Sequence, residues 1–192
     1  MKDIDDFLEG IVQEGKEQER LDYIKERTPL HKVVEEYLHR SDMIIYGPMS
    51  YFNMFSLEKI EKSNFHYNVF SNNPFKDSIG LANELFKKKF RFVEQKLNEV
   101  GKRIIYVEFE PVVDFTSITS KDIFRSIPTV VHKNKAGLSL RYVSPIMTRI
   151  EIYKTYTDPR QSIEKWNTMY QIEKILNKIH MEKGKLIPKK KT

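Results

Sequence analysis

The chain has 192 residues, no cysteine, seven glycines, eight prolines, 40% hydrophobic residues and a formal charge of +6. That length buries roughly 70% of the surface an unfolded chain would expose, enough for one core, and the lack of cysteine excludes disulfides, thiolate zinc sites and cysteine nucleophiles. No stretch approaches the roughly 20 apolar residues that cross a bilayer, and the acidic start lacks a charged-then-apolar leader, so a soluble, non-secreted protein with no membrane partner is expected.

Ile4, Phe7, Leu8, Ile11 and Val12 follow the spacing of one helical face, and Leu21 and Ile24 continue it, predicting a helix over residues 3–26. Pro29 is expected to stop that helix, with a second one from Leu30 to Arg40 presenting Val33, Val34, Tyr37 and Leu38. A short strand, Met43 to Tyr46, ends in Gly47-Pro48, and helical spacing resumes from Met49 to Ile60. Phe65 to Phe70 alternates as a strand. Ser71-Asn72-Asn73-Pro74 then opens a helix to Lys89, with an asparagine to cap the first turn and Pro74 where its missing N–H costs nothing. Strands are predicted at Phe90 to Lys96, Arg103 to Glu110 and Val112 to Ile118, and a short helix at Lys121 to Ile127. Thr129 to His132 and Leu138 to Tyr142 read as a hairpin around Asn134 to Gly137. Pro145 to Tyr156 reads as a helix broken at Thr157-Asp158-Pro159, and a last helix, Arg160 to Met181, is expected to bury Ile163, Trp166, Met169, Tyr170, Ile172, Ile175 and Ile179.

The charge divides along these segments. Residues 1–40 form an acidic helical extension, with seven Lys/Arg against eleven Asp/Glu. Residues 41–182 form the main domain, and residues 183–192 a basic tail, expected to be disordered, in which Lys183, Lys185, Lys189, Lys190 and Lys191 meet no acid. Such a balance suits an anionic partner, nucleic acid being the commonest, although a lysine-rich tail alone produces the same number. Basic residues interleave with aromatics at Lys87, Lys88, Lys89, Phe90, Arg91 and Phe92, and again at Arg141-Tyr142. Cations beside stacking platforms suit single-stranded RNA, and the same aromatics read equally as core with solvated lysines above them.

Strand, glycine turn, helix, strand, capped helix and then a carboxylate-bearing strand from Tyr106 to Phe115 is the layout of the nucleotidyltransferase fold. Phosphoryl transfer there needs hard divalent cations held by carboxylates, and backbone N–H groups at a helix start to hold the triphosphate. Tyr46-Gly47, the run His66 to Pro74, the run Val107 to Thr116, and Thr157-Asp158-Pro159 with Trp166 resemble the poly(A) polymerase catalytic subunit of large nucleocytoplasmic DNA viruses. The resemblance spans roughly residues 42–180. It implies an α+β, nucleotidyltransferase-like mixed sheet flanked by helices.

The chain departs from that family at two points. Where the family has a paired carboxylate, Asp-x-Asp, this chain has His66-Tyr67-Asn68, so two negative charges are missing and only the third acid, Asp114, is kept as a metal ligand. The glycine turn is Gly47-Pro48-Met49-Ser50, in which proline deletes an N–H donor, leaving Gly47 and Ser50 as a degenerate nucleotide-binding pair. Glu108 and Glu110 share parity with Asp114, but on a straight strand Glu110 would lie roughly 13 Å from it, so a shared metal requires a bend at Pro111. From the residues alone, Asp114 reads as a hydrogen-bonded group near a strand end, His66 as a partner of a neighbouring helix, and Asn68 and Ser71 as turn-closing side chains.

The expectation is therefore a poly(A) polymerase-like domain without catalysis, serving as an RNA- or subunit-binding module in a viral transcription or virion assembly. No cofactor is expected, with Mg2+ or Mn2+ only in an active form. The resemblance implies RNA or another transcription or polyadenylation subunit as partner, a location in the host cytoplasm or virion, and leaves a homo-oligomer open. The alternatives are an active poly(A) polymerase or nucleotidyltransferase subunit, or a virion structural or RNA-binding protein without transferase ancestry.

Overall fold

A computed structural model describes residues 2–55, 65–134 and 136–185. The chain runs α1 (Lys2–His39), β1 (Ile44–Tyr46), α2 (Pro48–Phe55), β2 (Tyr67–Ser71), α3 (Pro74–Lys87), β3 (Val93–Leu97), β4 (Arg103–Val107), β5 (Glu110–Ser117), α4 (Lys121–Ser126), β6 (Thr129–Lys133), β7 (Ser139–Val143), α5 (Pro145–Thr157) and α6 (Ile163–Lys185). Among the described residues, seven strands form one mixed sheet in the order β3-β4-β5-β2-β1-β7-β6, with β2/β5 and β1/β7 parallel and the other pairs antiparallel. The fold is α+β, as expected, with a long N-terminal helix.

Alternation along the strands sorts their residues onto two faces. Ile45, Tyr67, Val69, Ile105, Val113 and Phe115 point to one side, under Leu30, Val33, Val34 and Leu38 of α1 and Leu81 and Leu85 of α3. Burying so many aliphatic and aromatic side chains, at roughly 1.5–3 kcal/mol each, makes this the main core. Ile44 and Val143 face the other way and meet Phe124 of α4. A third cluster, in which Tyr51 of α2 packs on Ile152, Met169, Ile172 and Leu176, fastens the α5–α6 pair to the domain.

Pro29 does not divide the first helix. Its missing N–H removes the bond to the Lys25 carbonyl, but the Thr28 hydroxyl donates to the Ile24 carbonyl at 2.8 Å, and burial of the next two turns holds the axis. The second half of α1 thus shares its core with residues beyond 40. The apolar positions of the first half do not: Ile11, Val12 and Leu21 are about half exposed. The predicted strand Arg103 to Glu110 ends at Val107, because Glu108 and Phe109 turn the chain with positive φ (53° and 69°). Phe90 to Phe92 lie ahead of β3 rather than in it.

The last helix begins at Ile163 instead of Arg160. Asp158 holds residues 158–161 in a turn, accepting from the Arg160 N–H at 3.1 Å and the Gln161 amide at 2.8 Å. Of the residues expected to be buried on α6, Met169 and Ile172 are, packed with Leu176 against Tyr51 and Ile152, and Ile175 is half-buried, while Ile163, Trp166 and Tyr170 are exposed. Lys183 and Lys185 are helical, whereas Lys189, Lys190 and Lys191, and the predicted helix beyond Phe55 to Ile60, lie outside the described residues. Among the described residues no helix is long and apolar enough to cross a membrane.

Candidate functional site

The parallel pairing of β2 with β5 sets Asn68 directly beside Asp114, and the antiparallel pairing of β1 with β2 sets Tyr46 beside Asn68. Cross-strand partners share a face. Tyr46, Asn68, Asp114 and Thr116 therefore line one surface of the sheet, opposite the main core. Thr116 bonds the Tyr46 hydroxyl at 2.7 Å, and the Tyr46 ring stacks on Phe70 at 4.1 Å. His66 precedes β2 by one residue, with the parity of Asn68.

Gly47 closes this surface at the end of β1. Its φ is +72°, a conformation L side chains adopt at a cost, and a Cβ built there would stand 3.3 Å from the Asn68 amide nitrogen. The glycine is thus required both by the turn and by the approach of Asn68. At the start of α2 the phosphate-binding potential is low. Pro48 has no N–H, and the Ser50 N–H is already bonded to the Gly47 carbonyl at 2.9 Å, leaving Met49 as the donor in the first three positions. The Ser50 side chain is fully buried and its hydroxyl donates to the same carbonyl at 2.7 Å, so it is turned away from any ligand on the sheet surface.

Asp114 is half-buried, and burial raises its pKa above the usual carboxylate range; the positive charge of His66 and of Lys102 works in the opposite direction. Lys102, just ahead of β4, was not visible as a site residue in the sequence, because its place beside Asp114 depends on the β4–β5 register, in which Ile104 pairs with Asp114. Glu110 does not join the site. A bulge in the register between Ile105 and Tyr106 inserts an extra residue near Pro111, so that Glu110 pairs with Val107 and takes the parity of Val113, the face opposite Asp114. Glu108 lies in the turn, and both glutamates are exposed.

The donor set at this surface is one carboxylate, one amide and one imidazole. Two-metal phosphoryl transfer needs several anionic oxygens, and magnesium discriminates against nitrogen. These residues do not fit a divalent pair. Among the described residues no group of three or more His, Asp or Glu side chains is placed to hold a metal ion.

The basic candidates separate into two kinds. Lys87, Lys88, Lys89 and Arg91 are exposed at the end of α3 and in the loop after it. Arg141 is engaged within the fold, its guanidinium donating to Thr129 Oγ1 at 3.2 Å and the Asp42 carbonyl at 3.4 Å and lying over the Phe124 ring. Arg27, also unmarked in the sequence, is buried and donates to the carbonyls of Val107 and Pro111, pinning the β4–β5 turn and its bulge from beneath.

The sequence profile described as poly(A) polymerase catalytic subunit matches residues 32–162. Among solved structures, the crystal structure of the Megavirus polyadenylate synthase superimposes with a TM-score of 0.71 at 17% identity, over 92% of this chain and 36% of that one. The chain thus spans little more than a third of that synthase. No curated protein matches the chain significantly.

Proposed function

Because the chain belongs to the poly(A) polymerase catalytic subunit family, we propose that it is a degenerate nucleotidyltransferase domain that retains the sheet and has lost adenylate transfer. The observation that carries this is the pairing of Asn68, an uncharged amide, with Asp114, where the resemblance implies that the family has a carboxylate. The glycine turn supports it independently, since Pro48 and the inward Ser50 hydroxyl remove two contacts a triphosphate would use. No Mg2+ or Mn2+ is required by such a domain. Its role is that of a binding module in a viral transcription or virion assembly, with RNA or another polyadenylation subunit as partner, in the host cytoplasm or the particle.

The test is to supply the purified chain with ATP, Mg2+ or Mn2+ and an RNA primer. No untemplated extension is expected. Extension that disappears in Asp114→Ala would overturn the proposal and favour an active subunit.

A further inference from the structure

Four non-glycine residues of the described chain take left-handed backbone: Lys89 (φ 64°), Phe92 (50°), Glu108 (53°) and Phe109 (69°). All four lie at one corner of the sheet, in the loop from α3 to β3 and in the β4–β5 turn, and the Glu108 N–H donates to the Phe92 carbonyl at 3.3 Å to join the two. Lys89 sits where helix ends ordinarily place glycine. Its N–H bonds the Phe86 carbonyl at 2.9 Å, and the Phe90 N–H bonds the Leu85 carbonyl at 3.2 Å, the paired closure of a helix C-terminus. Glycine would suit each position better. Concentrated backbone strain of this kind points from the outlier to a function.

The strain presents aromatic rings to solvent. Phe92 and Phe109 are 62% and 69% exposed and stack on each other with centroids 5.5 Å apart. Phe86, 73% exposed on the last turn of α3, flanks a concavity of about 600 Å³ lined also by Lys89, Phe90, Arg91, Phe92 and Val93. Lys89 and Arg91 are exposed at its lining, Lys87 and Lys88 are exposed at the adjoining end of α3, and none of the four has a carboxylate partner among the described residues. The nearby acids that are engaged pair elsewhere, Glu94 with Lys96 and Glu84 with Arg40. Three exposed phenylalanines would be a liability to an isolated domain, and four unpaired cations beside them would be wasted on an apolar partner.

We propose that the Phe86, Phe92 and Phe109 corner is a binding site for single-stranded nucleic acid, in which unpaired bases stack on the rings while Lys87, Lys88, Lys89 and Arg91 meet the phosphates. The site lies ahead of β3 and in the β4–β5 turn, away from Asp114 in the middle of β5 and Asn68 on β2, so it functions whether or not transfer occurs. It rests on the binding-module reading only for the class of partner. A duplex of the same length, with its bases already stacked, has nothing to offer the rings.

The test uses Phe92→Gly with Phe109→Gly in the full chain. Glycine adopts the positive φ freely, so the rings are removed while the backbone is relieved, and the thermal midpoint should hold or rise. Binding of a fluorescein-labelled 12-nucleotide oligoadenylate, followed by anisotropy, should weaken about 10- to 100-fold, with the salt slope unchanged. Lys88→Ala with Lys89→Ala should instead flatten the slope by about 1.4. The lysines of the last residues cannot mimic a loss caused by removing rings. Affinity within twofold of the parent, or equal affinity for a 12-base-pair duplex, would overturn the site and leave the binding-module reading standing. An unmodified chain that fails to bind the oligonucleotide would overturn both the site and the RNA half of that reading.

Discussion

Replacing Asn68 by aspartate adds one negative charge and no volume at the register partner of Asp114. Neighbouring strands lie about 4.8 Å apart, so two carboxylates projecting from these positions would be separated by about 5 Å. At the effective dielectric of about 20 that suits partly buried pairs, their repulsion is about 3 kcal/mol. For a domain of this size each kcal/mol moves the melting midpoint by roughly 2–4 °C, so Asn68→Asp should melt about 6–12 °C below the parent in EDTA. Mn2+ or Mg2+ should recover part of that loss, because a cation between the two carboxylates replaces repulsion with attraction. Asp114→Asn, combined with Asn68→Asp, should erase the loss, and the double-mutant cycle isolates the pair from any other effect of the single changes. Differential scanning calorimetry of the four proteins with and without metal reads all of this. A midpoint for Asn68→Asp within 2 °C of the parent in EDTA, with no coupling to Asp114, would refute the shared surface on which the site rests.

Gly47→Ala forces a Cβ into a positive-φ turn and against Asn68, and should cost about 1–2 kcal/mol, seen as a lower urea midpoint with an unchanged slope. Gly80→Ala places a methyl group on the Tyr37 hydroxyl, whose bond to the Asp77 carbonyl would be displaced; a loss of about 1–3 kcal/mol is expected, largely rescued by Tyr37→Phe. The buried His31, stacked on Phe65, has its pKa pushed down to about 3 by burial first and then by the positive charges of Arg27 and His66. The unfolded chain therefore takes up this proton first, so stability is complete above about pH 6.5 and falls as pH drops toward 3, by up to roughly 4–5 kcal/mol. Glu35 and Asp114, whose pKa values are raised, act with the opposite sign, so the His31 share should be read as the change in pH slope of urea unfolding between the parent and His31→Phe.

Much of the order of elements was legible because it rests on local chemistry. The Asn73 cap with Pro74, the glycine turn after β1, and the alternation of the central strands are decided within a few residues, and the structure places them where the periodicity did. The errors arose where a distant contact overrides a local signal. Pro29 breaks a helix in isolation, but burial of Leu30, Val33 and Val34 holds it together. Trp166 and Tyr170 carry strong apolar character but are exposed, because the contact with Tyr51 and Ile152 covers only the stripe of α6 that holds Met169, Ile172 and Leu176.

The candidate site divides the same way. That His66 and Asn68 bring no carboxylate to this surface, and that Pro48 removes a donor, follows from residue identity alone, since no tertiary contact restores a missing charge or N–H. Only the tertiary structure could set Asn68 beside Asp114, bring Lys102 to it, turn Glu110 to the other face through a bulge held by Arg27, and gather Phe86, Phe92 and Phe109 at one corner. Those relations depend on strand register and on two strained turns. Register is a property of pairs of segments far apart in the chain, and no single segment encodes it.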